Sequence, residues 1–559
     1  MFVRQIRRRH TPNIVVQIVE SYRNEHRQPR QRLIRSMGSA PEGPALEELL
    51  RVAEYEKVRL LEQRQPALFP PAYLAEQAVA ARREREALGP IPIADARKLQ
   101  GEKDLKLGFH EVFGQLYDDL GLARLWPRNQ RGSERVFRQL VLARLAAPGK
   151  SKRHLAAELS EQGVNLPLER VYRMMDRLNR RRQSRLLKHL DGTVRGLLGG
   201  PVEVVFLDTT TLSFATEVED DLRLKGYSKD GKPYRSQVVL ALMQTTEGLP
   251  VGYRLFPGNT TEVKTLLPML QELREQFEVG RAVVVADAGL LSDKNLRALT
   301  KAGLDWVVAA RLRQLKRADF AALGSPQEWT PQPRDRKGRL RRLTERQVND
   351  RRLVVRYCPS KARRDAQARE QAVKKAEEKI AKGEPLGRRP GRFLKVSRHA
   401  VTLNRKAIER DALFDGLHGV WTSLSEPPAS QIRAHYAELW RIEQGFRVLK
   451  HTLRVRPVFH WTERRVRAHV ALCYVAFALL RILRWKYARQ HAGQPSLSED
   501  RILAELGNVT VSLIRDQGNG NRYLVPFGST REQRLLYKTV GLTLRRTTTL
   551  LSSPNRPQS

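Results

Sequence analysis

The chain is 559 residues long, with 102 Lys and Arg against 60 Asp and Glu, a formal net charge of +42 and a pI near 10.8. That length accommodates several domains and a large core, and the cationic excess favours polyanionic partners, because each neutralised phosphate releases counterions. Only two cysteines occur, Cys358 and Cys473, which excludes a disulfide framework and a Cys-rich zinc site and fits a reducing cytoplasm.

Charge alone does not separate DNA from RNA or an anionic membrane surface. The segment Met1–Arg9 has no apolar signal core. Residues 1 to about 40 alternate apolar and polar through Asn13–Glu20 and near Arg32–Ile34, which predicts a basic β-hairpin or small sheet. Residues 41 to about 100 read as helical and loosen through Leu88–Pro92, a linker pattern that closes an N-terminal region of 1–100. Residues 105–198 are helix-rich. Within them Lys152–Val164 and Leu166–Arg177 follow the plan of a helix-turn-helix, with Arg170, Arg173 and Arg177 on one face of the second helix as DNA-contact candidates.

From about residue 202 the pattern becomes strand-like. Strands are predicted at Val202–Thr211, Gln237–Met243 and Pro250–Phe256, then a helix over Glu262–Phe277 with Leu266, Leu270, Leu273 and Phe277 on its apolar face. A strand at Ala282–Ala286, a helix near Lys294–Ala302 and a strand at Asp305–Ala309 complete a β-β-β-α-β-α-β order. That is the order of an RNase H-like α/β core, with a mixed sheet whose first and fourth strands lie side by side. Residues 312–412 interrupt this core as a charged insertion whose Lys361–Lys382 run reads as a solvated helix. A strand near His418–Thr422 returns the chain to the core, which is assigned to 202–311 and 413–485. The longest apolar run, Val470–Leu480, is too short to span a bilayer and reads as a buried helix; 486–559 forms a basic C-terminal region.

Three acidic residues stand in distinctive settings. Asp208 follows the apolar run Val204–Leu207, Asp287 ends a second run at Ala282–Ala286, and Glu443 sits in a helical stretch from His435 to Lys450. Leu439, Ile442, Phe446, Leu449 and Leu453 form that helix's core stripe. Tyr436, Glu443 and Lys450, each seven residues apart, share another face. Spacing also allows Glu443 to be an ordinary surface residue paired with Arg447, and Glu438 to be a rival third ligand. Three carboxylates brought together in a very basic protein point to magnesium acting on nucleic-acid phosphate.

The stretch Tyr436–Lys450 resembles the Y-x2-R-x3-E-x6-K box of bacterial insertion-sequence transposases with a DDE active site. Leu207-Asp208-Thr209-Thr210-Thr211 looks like that family's first-Asp motif, Val284–Ser292 like its second, and Pro257–Glu262 is similar to its G-N-x-x-E segment. Arg456–His469 also looks familial, and the likeness covers roughly residues 200–485. Two positions depart from the pattern: the box's Arg is Leu439, and Asp287 is followed by Ala288 where many relatives have Arg. Arg441 points roughly opposite to Leu439 on a helix and is a poor substitute.

The resemblance implies a transposase that cuts DNA at terminal inverted repeats and transfers the freed 3′ ends into target DNA. Asp208, Asp287 and Glu443 would be the catalytic, metal-binding residues, holding two Mg2+ or Mn2+ ions about 3.5–4 Å apart. Tyr436, Arg447 and Lys450 would contact DNA phosphates. A homodimer on paired ends of double-stranded DNA is implied, in the bacterial cytoplasm on the nucleoid and without a membrane. Two alternatives share these features: an RNase H-like nuclease or resolvase without strand transfer, and a weakened DNA-binding relic of a transposase. His460 and Trp461 follow the box. Stacking on a displaced base is one role for them, and ordinary packing is the expected one for Trp461.

Overall fold

Alternation in the N-terminal segment produces an antiparallel sheet of order β1-β2-β3 from Phe2–Arg7 (β1), Asn13–Arg23 (β2) and Pro29–Pro41 (β3). Its inner face, Val3, Ile14, Val16 and Ile18, packs against Leu46, Leu50 and Ala53 of the helix Pro44–Glu62. The computed structural model describes residues 1–7, 11–23, 28–62, 98–161, 166–200, 202–214, 217–226, 235–261, 263–266, 268–269, 271, 283–287, 292–334, 338–382, 391–396, 401–518 and 520–552. The linker at Leu88–Pro92 and most of the helix predicted over Glu262–Phe277 lie outside these. Two compact units emerge. One comprises Met1–Leu105, Thr510–Gly528 and Arg545–Ser559, the other Lys106–Val509 and Ser529–Leu544. A further strand, Leu99–Lys106 (β4), follows the N-terminal sheet.

In the second unit the strand runs become Val204–Ser213 (β5), Gln237–Thr245 (β6), Pro250–Pro257 (β7), Val283–Ala286 (β8) and Asp305–Ala310 (β9). β5, β6 and β7 are mutually antiparallel, while β8 lies parallel to both β5 and β9. The order β9-β8-β5-β6-β7 is that of the expected RNase H-like core. Every residue of β6 is buried.

The insertion does not stand apart from this sheet. Thr330–Gln332 (β10), Arg341–Val348 (β11) and Arg351–Tyr357 (β12) extend it, joined to β9 through Leu417–Thr422 (β15) in the order β10-β11-β12-β15-β9. Between β12 and β15 come the largely exposed helix Pro359–Ala381 and a small ribbon, Leu394–Val396 (β13) with Val401–Leu403 (β14).

The apolar run Val470–Leu480 is the middle of a 28-residue helix, Glu463–Gln490. Its 18-residue apolar window is long enough to cross a membrane, but 94% of that window is buried in the protein. The helix is the centre of the core. Arg481 is buried within it, donates to the Gly248 carbonyl in the β6–β7 turn at 2.7 Å, and pairs with the buried Glu499. Buried Lys152 donates from Nζ to His469 Nδ1 at 2.9 Å, which leaves Nε2–H of His469 to donate to the Val455 carbonyl at 2.9 Å. The last strands, Thr510–Asp516 (β16), Arg522–Pro526 (β17) and Thr549–Ser552 (β18), form a sheet of order β18-β17-β16-β4 in the first unit.

Candidate active site

The parallel ladder between β5 and β8 ends with Leu207 opposite Ala286. The next residue on each strand is Asp208 and Asp287, so the two carboxylates stand on neighbouring strands at the same level. Asp208 is half-buried and accepts from the Thr209 N–H at 2.6 Å; Asp287 is exposed just past the end of β8.

Helix Trp440–Arg447 lies on β5 and β6. Its closest approach is Gly445, where an added Cβ would sit 2.0 Å from Gln244 Nε2. Gln244 pairs with Phe206, and Asp208 is two residues further along β5. Side chains alternate across a strand, so Gln244, Phe206 and Asp208 share the face that this helix covers. Glycine is therefore required at 445 for the helix carrying Glu443 to come down on the aspartate face.

The preceding helix, Ala429–Ala437, lies against β8 and β9. It brings the Tyr436 hydroxyl to 3.4 Å from Asp287 Oδ1, donating to the carboxylate. Burial first, then the negative charge of Asp287, raises the Tyr436 pKa, and Glu443 adds to the rise. The phenol is thus a neutral donor that senses both carboxylates. Two residues that the sequence reading passed over support it. Arg433 lies over the Tyr436 ring at 5.4 Å, and His418 packs against the same ring with centroids 5.2 Å apart. Arg433 Nη1 donates to His418 Nδ1 at 3.1 Å. Burial and the charge of Arg433 press the His418 pKa down to about 3, so its ring stays neutral. The spacing of Arg433 three residues before Tyr436 was the available signal.

The two rivals for the third carboxylate stand in different surroundings. Glu438 is engaged by Arg441, whereas Glu443 is exposed and, among the described residues, has no ion pair with Arg447. Leu439 is buried in the main core with Ile442, Phe446, Leu449 and Leu453, so the stripe is in place and the family's Arg position faces apolar packing here. The helix is not continuous. It breaks at Glu438–Leu439 and passes into a π-helical turn, Val448–Thr452. The common face expected for Tyr436, Glu443 and Lys450 assumed an unbroken α-helix and does not describe this geometry. Lys450 is half-buried in the π turn and Arg447 is exposed. Ala288 lies outside the described residues.

Helices Lys152–Glu161 and Leu168–Arg177 occupy the expected helix-turn-helix positions, the turn at 162–165 lying outside the described residues. The second is anchored by Val171, Met174 and Met175, which leaves Arg170, Arg173 and Arg177 exposed. Arg173 pairs with Glu169, and Arg177 donates to Ser133 Oγ at 2.8 Å. His460 turns inward against Tyr172 and His469. Trp461 is 62% exposed, so the expected packing role is overturned: with its neighbour directed inward, the extended chain directs Trp461 outward.

The donor set, three carboxylates, is the hard oxygen chemistry that divalent ions such as Mg2+ and Mn2+ require. In kind the residues fit such ions; among the described residues, however, no group of three acidic, His or Cys side chains converges closely enough to enclose one. Asp208 and Asp287 end the β5–β8 ladder together, and Glu443 is exposed on the helix that covers β5 and β6.

A comparison with curated proteins finds no match. Among solved structures the chain is similar to the Mos1 mariner paired-end complex with Mn, at 12% identity over 48% of this chain and 78% of the other, TM-score 0.14. It is also similar to the Mos1 paired-end complex with the left transposon end (13%, 48% and 78%, TM-score 0.14) and to the Mos1 strand transfer complex (13%, 48% and 77%, TM-score 0.14). At these TM-scores the likeness adds nothing to the fold, which rests on strand order. A family model described as "Transposase DDE domain" matches residues 200–480, half of the chain and the span that holds both aspartates and Glu443. With that match, the chain belongs to the DDE transposases.

Proposed function

We propose that this transposase cuts DNA at the ends of its element and joins the freed ends to target DNA, with Asp208, Asp287 and Glu443 as its catalytic carboxylates. The observation that carries this reading is the adjacency of Asp208 and Asp287 on parallel strands, on the face covered by the helix bearing Glu443. The three would hold two divalent ions, Mg2+ or Mn2+, whose chemistry is neutralisation of charge on the phosphoryl oxygens and activation of the attacking oxygen.

The chain's own residues orient and grip. Tyr436 donates to Asp287 and fixes that carboxylate's rotamer, backed by Arg433 and His418. Arg447 and Lys450, on the segment after Glu443, contact phosphates next to the cut, and Arg170, Arg173 and Arg177 contact the terminal inverted repeats. In the first reaction water attacks the phosphodiester, the P–O3′ bond breaks and a 3′-hydroxyl is released. In the second that hydroxyl attacks a target phosphodiester, forming a new P–O3′ bond and expelling the target strand's 3′-oxygen. A homodimer on paired DNA ends, working on the nucleoid in the bacterial cytoplasm, completes the reading; the first rests on family membership and the second on the charge of +42.

The test is a plasmid carrying the genomic sequence that flanks this reading frame, incubated with Mg2+ or Mn2+ and wild type or Glu443→Gln. Metal-dependent cuts at inverted repeats with joined products, both lost in the variant, support the reading. Cuts without joined products reduce it to a nuclease, and cutting that survives Glu443→Gln removes Glu443 from the site.

A further inference from the structure

We propose that Phe459 and Trp461, together with the arginine groove beside them, form a docking surface for unpaired DNA, separate from the carboxylate centre. The proposal rests on the DNA reading above and deepens it. Phe459 is 52% and Trp461 62% exposed, an unusual placement for two large rings two residues apart. They are held out by what lies between and around them. Val458 is buried and its N–H donates to the Ser213 carbonyl at 3.1 Å, in a parallel bridge from Phe214. His460 packs inward, edge-on to Tyr172 at 6.4 Å. Tyr172 in turn is covered by Arg465 at 4.5 Å, and Arg465 grips Asp176 through two hydrogen bonds of 3.0 and 2.9 Å. The base of the segment is fixed, so the two rings are presented on a rigid support.

Next to Trp461 a cavity of about 510 Å3 opens between Asn179, Arg180 and Gln183 on one side and Thr462, Glu463, Arg464 and Arg467 on the other. Arg180 and Arg467 share a single carboxylate, each 2.6 Å from Glu463 Oε1, and Arg464 and Arg465 share Asp176. Four guanidiniums therefore face two carboxylates, and the surplus is positive. A positively charged groove beside protruding rings is the arrangement that binds single strands: phosphates lie in the groove and bases stack on the rings. A duplex cannot use the ring faces in this way, because its own bases already occupy each other's faces. The distance favours DNA from the reaction itself. Ser213 lies five residues beyond Asp208 on β5, about 17 Å at strand rise, or about five nucleotides of a DNA strand.

The experiment is equilibrium binding of the full chain to fluorescein-labelled DNA, a blunt duplex against the same duplex with a single-stranded thymidine overhang of about eight nucleotides, over a range of salt. Trp461→Ala should weaken overhang binding about 5- to 100-fold and leave the blunt duplex and the salt slope unchanged. Trp461→Tyr, which keeps a stacking ring, should restore most of the loss. Arg180→Gln or Arg467→Gln should instead lower the salt slope by about one. Equal affinity of Trp461→Ala and wild type for the overhang overturns the proposal while leaving the transposase reading intact. Absence of DNA binding by wild type overturns both.

Discussion

Gly445→Ala tests whether the seat of the Glu443 helix controls catalysis. The new methyl would lie 2.0 Å from Gln244 Nε2 and 2.8 Å from its Cδ, where ordinary contact begins at 3.4 Å. Something must move by about 1.4 Å, the difference between those contact distances. Gln244 is fully buried and has no route to solvent, so the helix lifts from β6 or the amide is forced against its neighbours. Overpacking of this kind costs about 1–3 kcal/mol. Replacing a helical glycine by alanine returns about 1 kcal/mol. The net loss of stability is therefore small, about 0–2 kcal/mol by urea unfolding. Activity is far more exposed, because a displacement of about 1 Å at a reacting group costs about 100-fold. Metal-dependent plasmid cleavage should fall by about that factor. The double variant Gly445→Ala with Gln244→Ala reopens the space and should recover most of the rate, a coupling that a double-mutant cycle measures. If Gly445→Ala alone cleaves within about threefold of wild type, the predicted factor of about 100 is wrong and the close seat does not matter.

Tyr436→Phe removes the hydrogen bond to Asp287 and should slow cleavage about tenfold with stability changed by less than about 1 kcal/mol; an unchanged rate would show that the phenol does not orient the carboxylate. Glu499→Gln leaves the buried Arg481 charge without its partner and should cost about 3–5 kcal/mol in urea unfolding; a loss under about 1 kcal/mol would contradict it. His418 and His460 have their pKa values pressed down to about 3, chiefly by burial, and that of buried His469 is pressed well below 6.5. Below pH 6.5 the unfolded chain takes up protons that the folded chain refuses, so stability is lost as pH falls from 6.5 towards 3, by about 1.4 kcal/mol per histidine per pH unit at most. His418→Gln should flatten that acid slope. Lys152 is pressed from 10.5 to about 7 by burial and then by Arg144, so stability should rise with pH between those values; Lys152→Met should abolish the rise, and an unaltered pH profile would show the ammonium is not penalised.

The catalytic sheet was legible because its strands are buried on both faces and read as unbroken apolar runs, each ended by a turn or an acidic residue. Asp208 and Asp287 drew attention because each is a carboxylate directly after an unbroken apolar run, Val-Val-Phe-Leu or Val-Val-Val-Ala; Asp287 stands just past its strand, whereas β5 continues beyond Asp208 to Ser213. The core stripe from Leu439 to Leu453 was equally readable. What escaped were features decided by tertiary contact. Periodicity assumes a uniform helix, and the break at Glu438–Leu439 and the π turn at Val448–Thr452 leave no mark in hydropathy. The strand Arg341–Val348 carries three arginines and a glutamate, since it lies far from the core and is half solvated, so the insertion's union with the sheet was hidden. The ion pair of Glu438 with Arg441 was not readable from spacing, nor was the outward turn of Trp461, which follows from His460 taking the inward place.

The pairing of β4 with β16 imposes a timetable on synthesis. Residues 99–106 leave the ribosome well before their hydrogen-bonding partner, which begins at residue 510. At roughly 5–20 residues per second, the intervening stretch takes roughly 20–80 s to translate. Throughout that interval β4 is an unpaired, largely exposed edge, and the first unit is completed only once the strands from residue 510 onward have been made. A nascent chain stalled before the C-terminal strands would carry the finished sheet of the second unit and an incomplete first unit.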